Sequence, residues 1–270
     1  MLINESGLTC LPTLNPVCNI GLGPSIMDGL RFLKGATKTL LRSGGLGKRY
    51  RNRKKRFKQR LAHARADEFI RAMSEVKLEL GAGPLKGKNG WITIDQCDEA
   101  DINWDLNISL PFPDESVSII YSSHVLEHFL YRDLMRLLAD CSRVLKPGGS
   151  FSVCVPDASI YVQAYLNPET FDRSFLAYKP AIVSDLKMDR LNYIAYMDGH
   201  HRFMFDAENL ARVLTEAGLT DVRIRDFDPA LDMLERKYES IYAVGMKPPR
   251  TAFGSTTVGI EGVPVGWAPC

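Results

Sequence analysis

The stretch VKLELGAGPLKGKNGWITID, residues 76–95, decides the fold. An apolar strand pattern carrying one acid, Glu79, runs into the turn Gly81-Ala82-Gly83, and a second short strand pattern ends on Asp95. Open α/β sheets build nucleoside sites in this order. The glycines let the backbone approach the ligand, and a carboxylate at the next strand end accepts hydrogen bonds from ribose hydroxyls. In the dinucleotide version a G-x-G-x-x-G turn opens a helix whose N-terminal N–H groups hold a pyrophosphate. Here only residues 81–90 separate the two strand patterns, and they include Pro84, Gly87, Asn89 and Gly90, all poor interior helix residues. A pyrophosphate would lack its cradle. Glu79, Asp95 and Asp105 also fall at or near predicted strand ends, where they oppose an anion. A ligand combining a ribose with a cationic centre fits better.

Outward from this stretch, strand patterns are expected at 101–106 as a short edge, 117–121, 151–155, 221–226 and 240–246, and helices at 61–75, 131–145 and 207–217. Lys146-Pro147-Gly148-Gly149 reads as a helix stop, and Gly218 as the C-cap of the last helix. Alternating strands and helices imply a mostly parallel sheet. Residues 156–205 show no clear periodicity.

Five segments carry a family resemblance. LELGAG (78–83), ITID (92–95), LPFPDESVSIIYSSHVLEHF (110–129), VLKPGGSFSVCVPD (144–157) and HRFMFDAENLARVLTEAGLTDV (201–222) occur in order and cover most of residues 76–247. Together they resemble the class I S-adenosylmethionine-dependent methyltransferases, in particular the type 11 methyltransferase domain. The resemblance implies a Rossmann-like α/β fold, a mostly parallel sheet with a reversed last strand, flanking helices and here a shortened first crossover. It implies S-adenosylmethionine as cofactor, with Gly81, Ala82 and Gly83 at its methionine end and Glu79 near its amino group. Asp95 would take the ribose hydroxyls and Gln96 the ribose or adenine. Asp105 would accept from the adenine amino group, Leu106 would supply an apolar face for the ring, and Ser123 would line the site at the end of the fourth strand. His201 is the candidate general base and His124 the candidate group facing the transferred methyl. Glu127 and His128 are expected to cap or brace the following helix. One departure is Ser118, where the family usually has an acid. No metal-ligand constellation is apparent in the sequence.

The whole chain has 270 residues, 45% hydrophobic and 24% charged, which suits one large α/β domain with extensions. The expected division is a basic, partly helical extension at 1–70, a methyltransferase domain at 71–250 with a lid or substrate insertion at 156–205, and a flexible tail at 251–270. No apolar run approaches the ~20 residues needed to cross a bilayer, and the N-terminus lacks a signal pattern, so a cytoplasmic location is expected. Cys10, Cys18, Cys97, Cys141, Cys154 and Cys270 form no C-x-x-C pair and read as buried or free thiols.

Charge is uneven. Residues 1–75 hold 15 Lys/Arg against 5 Asp/Glu, and the remainder holds 19 against 27. Nine of the thirteen residues in KRYRNRKKRFKQR (48–60) are basic, which suits either an anionic partner (phospholipid headgroups at the inner membrane surface, nucleic acid or a phosphate-rich substrate carrier) or a solvated, partly helical arm with no partner. Only Tyr50 and Phe57 interrupt the run as aromatics, so stacking on nucleic acid is disfavoured. The reading is methyl transfer to a small-molecule or lipid-carrier-linked acceptor, at a hydroxyl, with a sugar of a surface-polysaccharide pathway as the acceptor by analogy. The alternatives are an RNA methyltransferase that grips phosphates with the arm, and a non-catalytic module of the same fold.

Overall fold

The structure, a computed structural model, describes residues 45–84, 90–172, 174, 184 and 186–250. The expectation of a mobile tail at 251–270 lies outside these residues, as do most of the N-terminal extension and part of 156–205.

One long helix, α1 (Gly45–Ala72), opens the described chain. It joins the basic run and the helix expected at 61–75 into one element, so the boundary drawn at residue 70 falls inside its last turn. Its interior is rich in Ala, Arg and Lys, all strong helix formers. Ala62 and Ala66, one helical turn apart, are buried, and Phe69, Ile70 and Met73 pack against the core beside them. From Lys48 to Lys58 every residue is exposed.

The sheet has seven strands: β1 (Lys77–Leu80), β2 (Trp91–Asp95), β3 (Ile102–Asn103), β4 (Val117–Ser123), β5 (Leu145–Pro156), β6 (Thr220–Arg225) and β7 (Ser240–Met246). Their order is β3-β2-β1-β4-β5-β7-β6. The first five strands pair in parallel, and β7 runs antiparallel to both β5 and β6. The mostly parallel sheet with a reversed last strand is therefore as expected. No described residue between β1 and β2 is helical, so the first crossover is short as well. Chain order moves outward from β1 to β3 and then jumps back to β4. The β1/β4 boundary is thus the switch point, and ligands of such sheets sit beyond its carboxyl ends.

Among the described residues, four further α-helices flank the sheet: α2 (Tyr131–Val144), α3 (Ala158–Leu166), α4 (Lys187–Tyr196) and α5 (Ala207–Glu216). Leu134, Leu137, Leu138, Cys141 and Val144 form the buried stripe of α2, and Leu210, Val213 and Leu214 that of α5. These stripes join Leu78, Leu80, Ile92, Ile94, Ile120, Phe151 and Val153 in one core.

Three local expectations need correction. The edge segment expected at 101–106 pairs only over Ile102–Asn103. Helix α2 stops at Val144, and Lys146-Pro147-Gly148-Gly149 lies inside β5, where the β4–β5 register shifts between Val117 and Ile119. There Gly148 has φ +77, and a Cβ on Gly149 would lie 2.8 Å from both Lys146 O and Ser118 O, so the glycines serve an irregular strand and not a helix cap. Residues 156–205, without legible periodicity, contain α3 and α4, which share a small apolar cluster of Ala158, Tyr161, Tyr193 and Ile194.

Helix α5 starts on a capping box in which Asp206 accepts from Asn209 N at 2.8 Å and the Asn209 side chain accepts from Asp206 N at 3.3 Å. Asp206→Ala should therefore lower stability by about 1 kcal/mol without changing cofactor affinity, as measured by urea unfolding and by titration. No helix among the described residues is long and apolar enough to cross a membrane. Of the cysteines, Cys97, Cys141 and Cys154 are free, with the last two buried.

Candidate active site

Just past β1 the backbone turns sharply, and Gly81 N–H donates to Ile94 O at 2.8 Å, which hooks the turn over the end of β2. Two residues on, Gly83 N–H donates to Asp95 Oδ2 at 3.0 Å, while Cys97 N–H donates to Oδ1 at 3.0 Å. The Cys97 thiol closes the loop by donating to Gly83 O at 2.8 Å. Asp95 therefore points into the space that the glycine turn borders. A carboxylate offers about four lone-pair sites, so capacity remains for two hydroxyl donors of a ribose.

The two glycines have different work. Both lie in the left-handed region, with φ +66 at Gly81 and φ +63 at Gly83. A Cβ on Gly81 would fall 2.3 Å from Val125 Cγ2, whereas one on Gly83 would meet nothing within 4 Å. Gly81 thus lets the segment after β4 close on β1, and Gly83 faces open space. Ala82 sits between them, half-buried. Glu79 is half-buried on β1, alternating with the buried Leu78 and Leu80 and in register with Thr93 and Tyr121.

The next predicted residues also gather. Gln96 Nε2 donates to Asp105 Oδ1 at 3.3 Å, and Asn107 donates to the same oxygen from its backbone at 2.9 Å and its side chain at 3.0 Å. An adenine amino group would have to meet Oδ2. Leu106 is buried beside it, and Trp104 N–H donates to Asp95 O at 2.7 Å, which ties the two acidic residues to one ladder. The acids do not set the local charge alone, because Lys54, Lys55 and Lys58 of α1 line a cleft with Gln96, Trp104 and Asp105. The repulsion of anions inferred from the strand ends is therefore offset at this edge of the site.

At the end of β4, Ser123 is buried, and Arg236 Nη1 donates to both its O and its Oγ at 2.8 Å. His124 adopts φ +53, a left-handed conformation that His tolerates better than most residues. Its Nε2 lies 2.8 Å from Ser240 Oγ, and burial pushes its imidazole well below the ordinary value. His201 is buried too, and its Nδ1 lies 2.8 Å from Ile194 O. Since a carbonyl only accepts, Nδ1 carries the proton and Nε2 holds the lone pair. Burial again lowers the pKa, so both imidazoles are neutral near pH 7.

Glu127 and His128 do not cap the helix that follows them. The N-cap of α2 is Leu130, with no side-chain hydrogen bond, and the two residues sit in a separate 3-10 turn, Leu126–His128. They brace residues 200–203 instead: Glu127 O accepts from Arg202 N and Phe203 N, and His128 Nδ1 donates to His200 O at 3.0 Å. The Glu127 carboxyl is buried, neither oxygen accepts a hydrogen bond, and burial pushes its pKa up to about 8. Sequence reading gives Glu127 only a capping or bracing role and assigns no part in the site to Cys97, Val125 or Arg236. Only Cys97 had a local signal, since an Asp two residues before a turn N–H commonly accepts from it.

A family model described as a methyltransferase domain matches residues 89–153, the span from the end of the glycine connection through β4 and most of β5. No curated protein sequence matches the chain. Among solved structures, an S-adenosylmethionine-dependent methyltransferase of Thermotoga maritima is 18% identical, with 74% of this chain and 97% of that one covered and a TM-score of 0.39. One from Archaeoglobus fulgidus is 14% identical, with 70% and 94% covered and a TM-score of 0.38. The YcgJ protein of Bacillus subtilis is 14% identical, with 69% and 99% covered and a TM-score of 0.38. Likeness at that level says nothing about the acceptor. The matched span holds Asp95, Asp105 and the β4 end, which all lie at or just beyond the carboxyl ends of their strands.

Proposed function

We propose that this enzyme methylates a hydroxyl group on an anionic, membrane-associated acceptor such as a lipid-carrier-linked sugar. S-adenosylmethionine supplies an electrophilic sulfonium methyl whose leaving group, a thioether, needs no proton. The protein's share of the chemistry is to hold cofactor and acceptor in line, keep water out and receive the hydroxyl proton. Positioning alone can contribute several kcal/mol. Gly83, Asp95 and Asp105 hold the cofactor in this reading. The proton goes to a neutral imidazole, for which His201 Nε2, with Nδ1 fixed on Ile194 O, is the candidate. His124, whose ring lies 4.0 Å from the Glu127 carboxyl, is at the same β4 end, and the described helices α3 and α4 cover the acceptor.

The observation that carries the acceptor class is the shape of the basic run. Its nine Lys/Arg are all exposed along one stretch of α1, and four of them, Arg51, Lys54, Lys55 and Lys58, line the cleft beside Gln96 and Asp105. Cations near an anionic surface contribute roughly 1 kcal/mol each, so the part of this stretch that faces a membrane suffices for salt-sensitive attachment. The triple variant Lys54→Glu/Lys55→Glu/Lys58→Glu should lose at least about tenfold in binding to phosphatidylglycerol vesicles, with none of the forms binding phosphatidylcholine. Unchanged vesicle binding would sink the membrane reading. Tight, salt-sensitive binding of RNA by the parent, abolished in the variant, would favour the RNA methyltransferase instead.

A further inference from the structure

We infer that Glu127, His128 and His201 form a binding site for a divalent transition-metal ion at the carboxyl end of β4. One ligand atom from each of the three lies within 4.8 Å of the others. Metal–nitrogen and metal–oxygen bonds of ~2.0–2.2 Å put donor atoms about 3.3 to 4.2 Å apart, so small side-chain rotations close the set. Those rotations are open to His128, whose side chain is 41% exposed.

Three independent features point to an ion. Both imidazoles use Nδ1 on a backbone carbonyl, His201 on Ile194 O at 2.8 Å and His128 on His200 O at 3.0 Å. This arrangement fixes the tautomer, leaves both Nε2 lone pairs free and is how metal-binding histidines are normally held. His128 Nε2 in turn lies 3.8 Å from Glu127 Oε1. Second, the Glu127 side chain is 3% exposed and neither oxygen accepts a hydrogen bond. An unsatisfied buried carboxylate is costly, and native structures keep one where a proton or a cation compensates it. Arg236, whose charge reaches Glu127, directs Nη1 at Ser123 and makes no hydrogen bond to that carboxylate. Third, the ligands come from two distant segments that the backbone already ties together, since Glu127 O accepts from Arg202 N at 2.8 Å. An ion here would pin the 3-10 turn after β4 to the segment that precedes α5.

Two imidazoles and one carboxylate favour Mn²⁺, Fe²⁺, Co²⁺ or Zn²⁺ over Ca²⁺ or Mg²⁺, and three protein ligands leave coordination positions for an outside oxygen. With the ion bound, His201 is a ligand and not the proton acceptor, so the inference revises that one role. It does not depend on which acceptor is methylated.

The test uses the full chain, stripped with chelator and titrated with Mn²⁺, which avoids the thiols that Zn²⁺ would seek. Free Mn²⁺ is followed by electron paramagnetic resonance, and thermal melting is run with and without the ion. The expected result is one equivalent bound per chain and a raised melting temperature. His128→Ala, at an exposed position that tolerates truncation, and Glu127→Gln, nearly isosteric, should each weaken binding at least tenfold and remove the thermal shift, while His63→Ala changes neither. S-adenosylhomocysteine binding measured on the same variants reports on the cofactor site separately. Absence of saturable Mn²⁺ binding, or binding unchanged in both His128→Ala and Glu127→Gln, would overturn the site.

Discussion

Asp95→Ala is expected to weaken S-adenosylhomocysteine binding by about 100-fold or more, measured by calorimetric titration. Hydrogen bonds to a charged acceptor are worth ~1.5–3 kcal/mol each, and a ribose presents two hydroxyls, so the loss is roughly 3 kcal/mol or greater. At about 1.4 kcal/mol per factor of ten, that is two decades. The same substitution frees Gly83 N–H and Cys97 N–H, each now 3.0 Å from an Asp95 oxygen, and loosens the turn that borders the ligand. Asp95→Asn separates the two effects. It keeps the shape and one acceptor oxygen, and should cost about tenfold. Circular dichroism of both variants should match the parent, because Asp95 is half-buried at a strand end and not in the core. Binding retained within a few-fold in Asp95→Ala would move the ribose contact elsewhere.

Gly81→Ala should be the more damaging change to the protein itself. A left-handed conformation costs a side-chain-bearing residue roughly 1–2 kcal/mol, and the new Cβ would lie 2.3 Å from Val125 Cγ2. Overpacking typically adds ~1–3 kcal/mol, for about 2–5 kcal/mol in all. Thermal and urea unfolding should both report it, and cofactor affinity should fall with it because the turn must shift. Gly83→Ala carries only the conformational part, since its Cβ would meet nothing within 4 Å. Adding Val125→Ala to Gly81→Ala should recover the steric part and leave the conformational part. Equal losses at the two glycines would show that Val125 does not set the closeness of the turn.

The contrast between those glycines marks what could be read from sequence. Strand β1, the turn and β2 were legible because burial alternates along β1 and the turn glycines break the pattern on schedule. Strand β7 was read at its observed bounds, Ser240–Met246, because seven residues of apolar character stand between polar stretches. Pairing with Val125 was not legible, since residues 81 and 125 meet only through the β1–β4 register. Sequence divides helix α1 in two because composition changes sharply near residue 60 while helix propensity does not. The Lys-Pro-Gly-Gly run misled for the opposite reason: its residues stop helices, yet the helix had already ended and the strand used them for an irregularity. Glu127 reads as a cap or brace because it precedes a helix, and only the fold reveals that its carboxylate turns inward toward two histidines, one of them from a segment some seventy residues on. Sequence patterns report local periodicity, and a site made by tertiary closure leaves little trace in them.

The account rests on a nucleoside lying across the carboxyl ends of β1 and β2. A crystal structure with S-adenosylhomocysteine tests this most directly. The expected result is both ribose hydroxyls on the Asp95 carboxylate, with the thioether end along Gly83 and the adenine beside Leu106 and Asp105. Ligand density away from the glycine turn, or an Asp95 that still bonds only Gly83 and Cys97 while the ribose is held elsewhere, would contradict it.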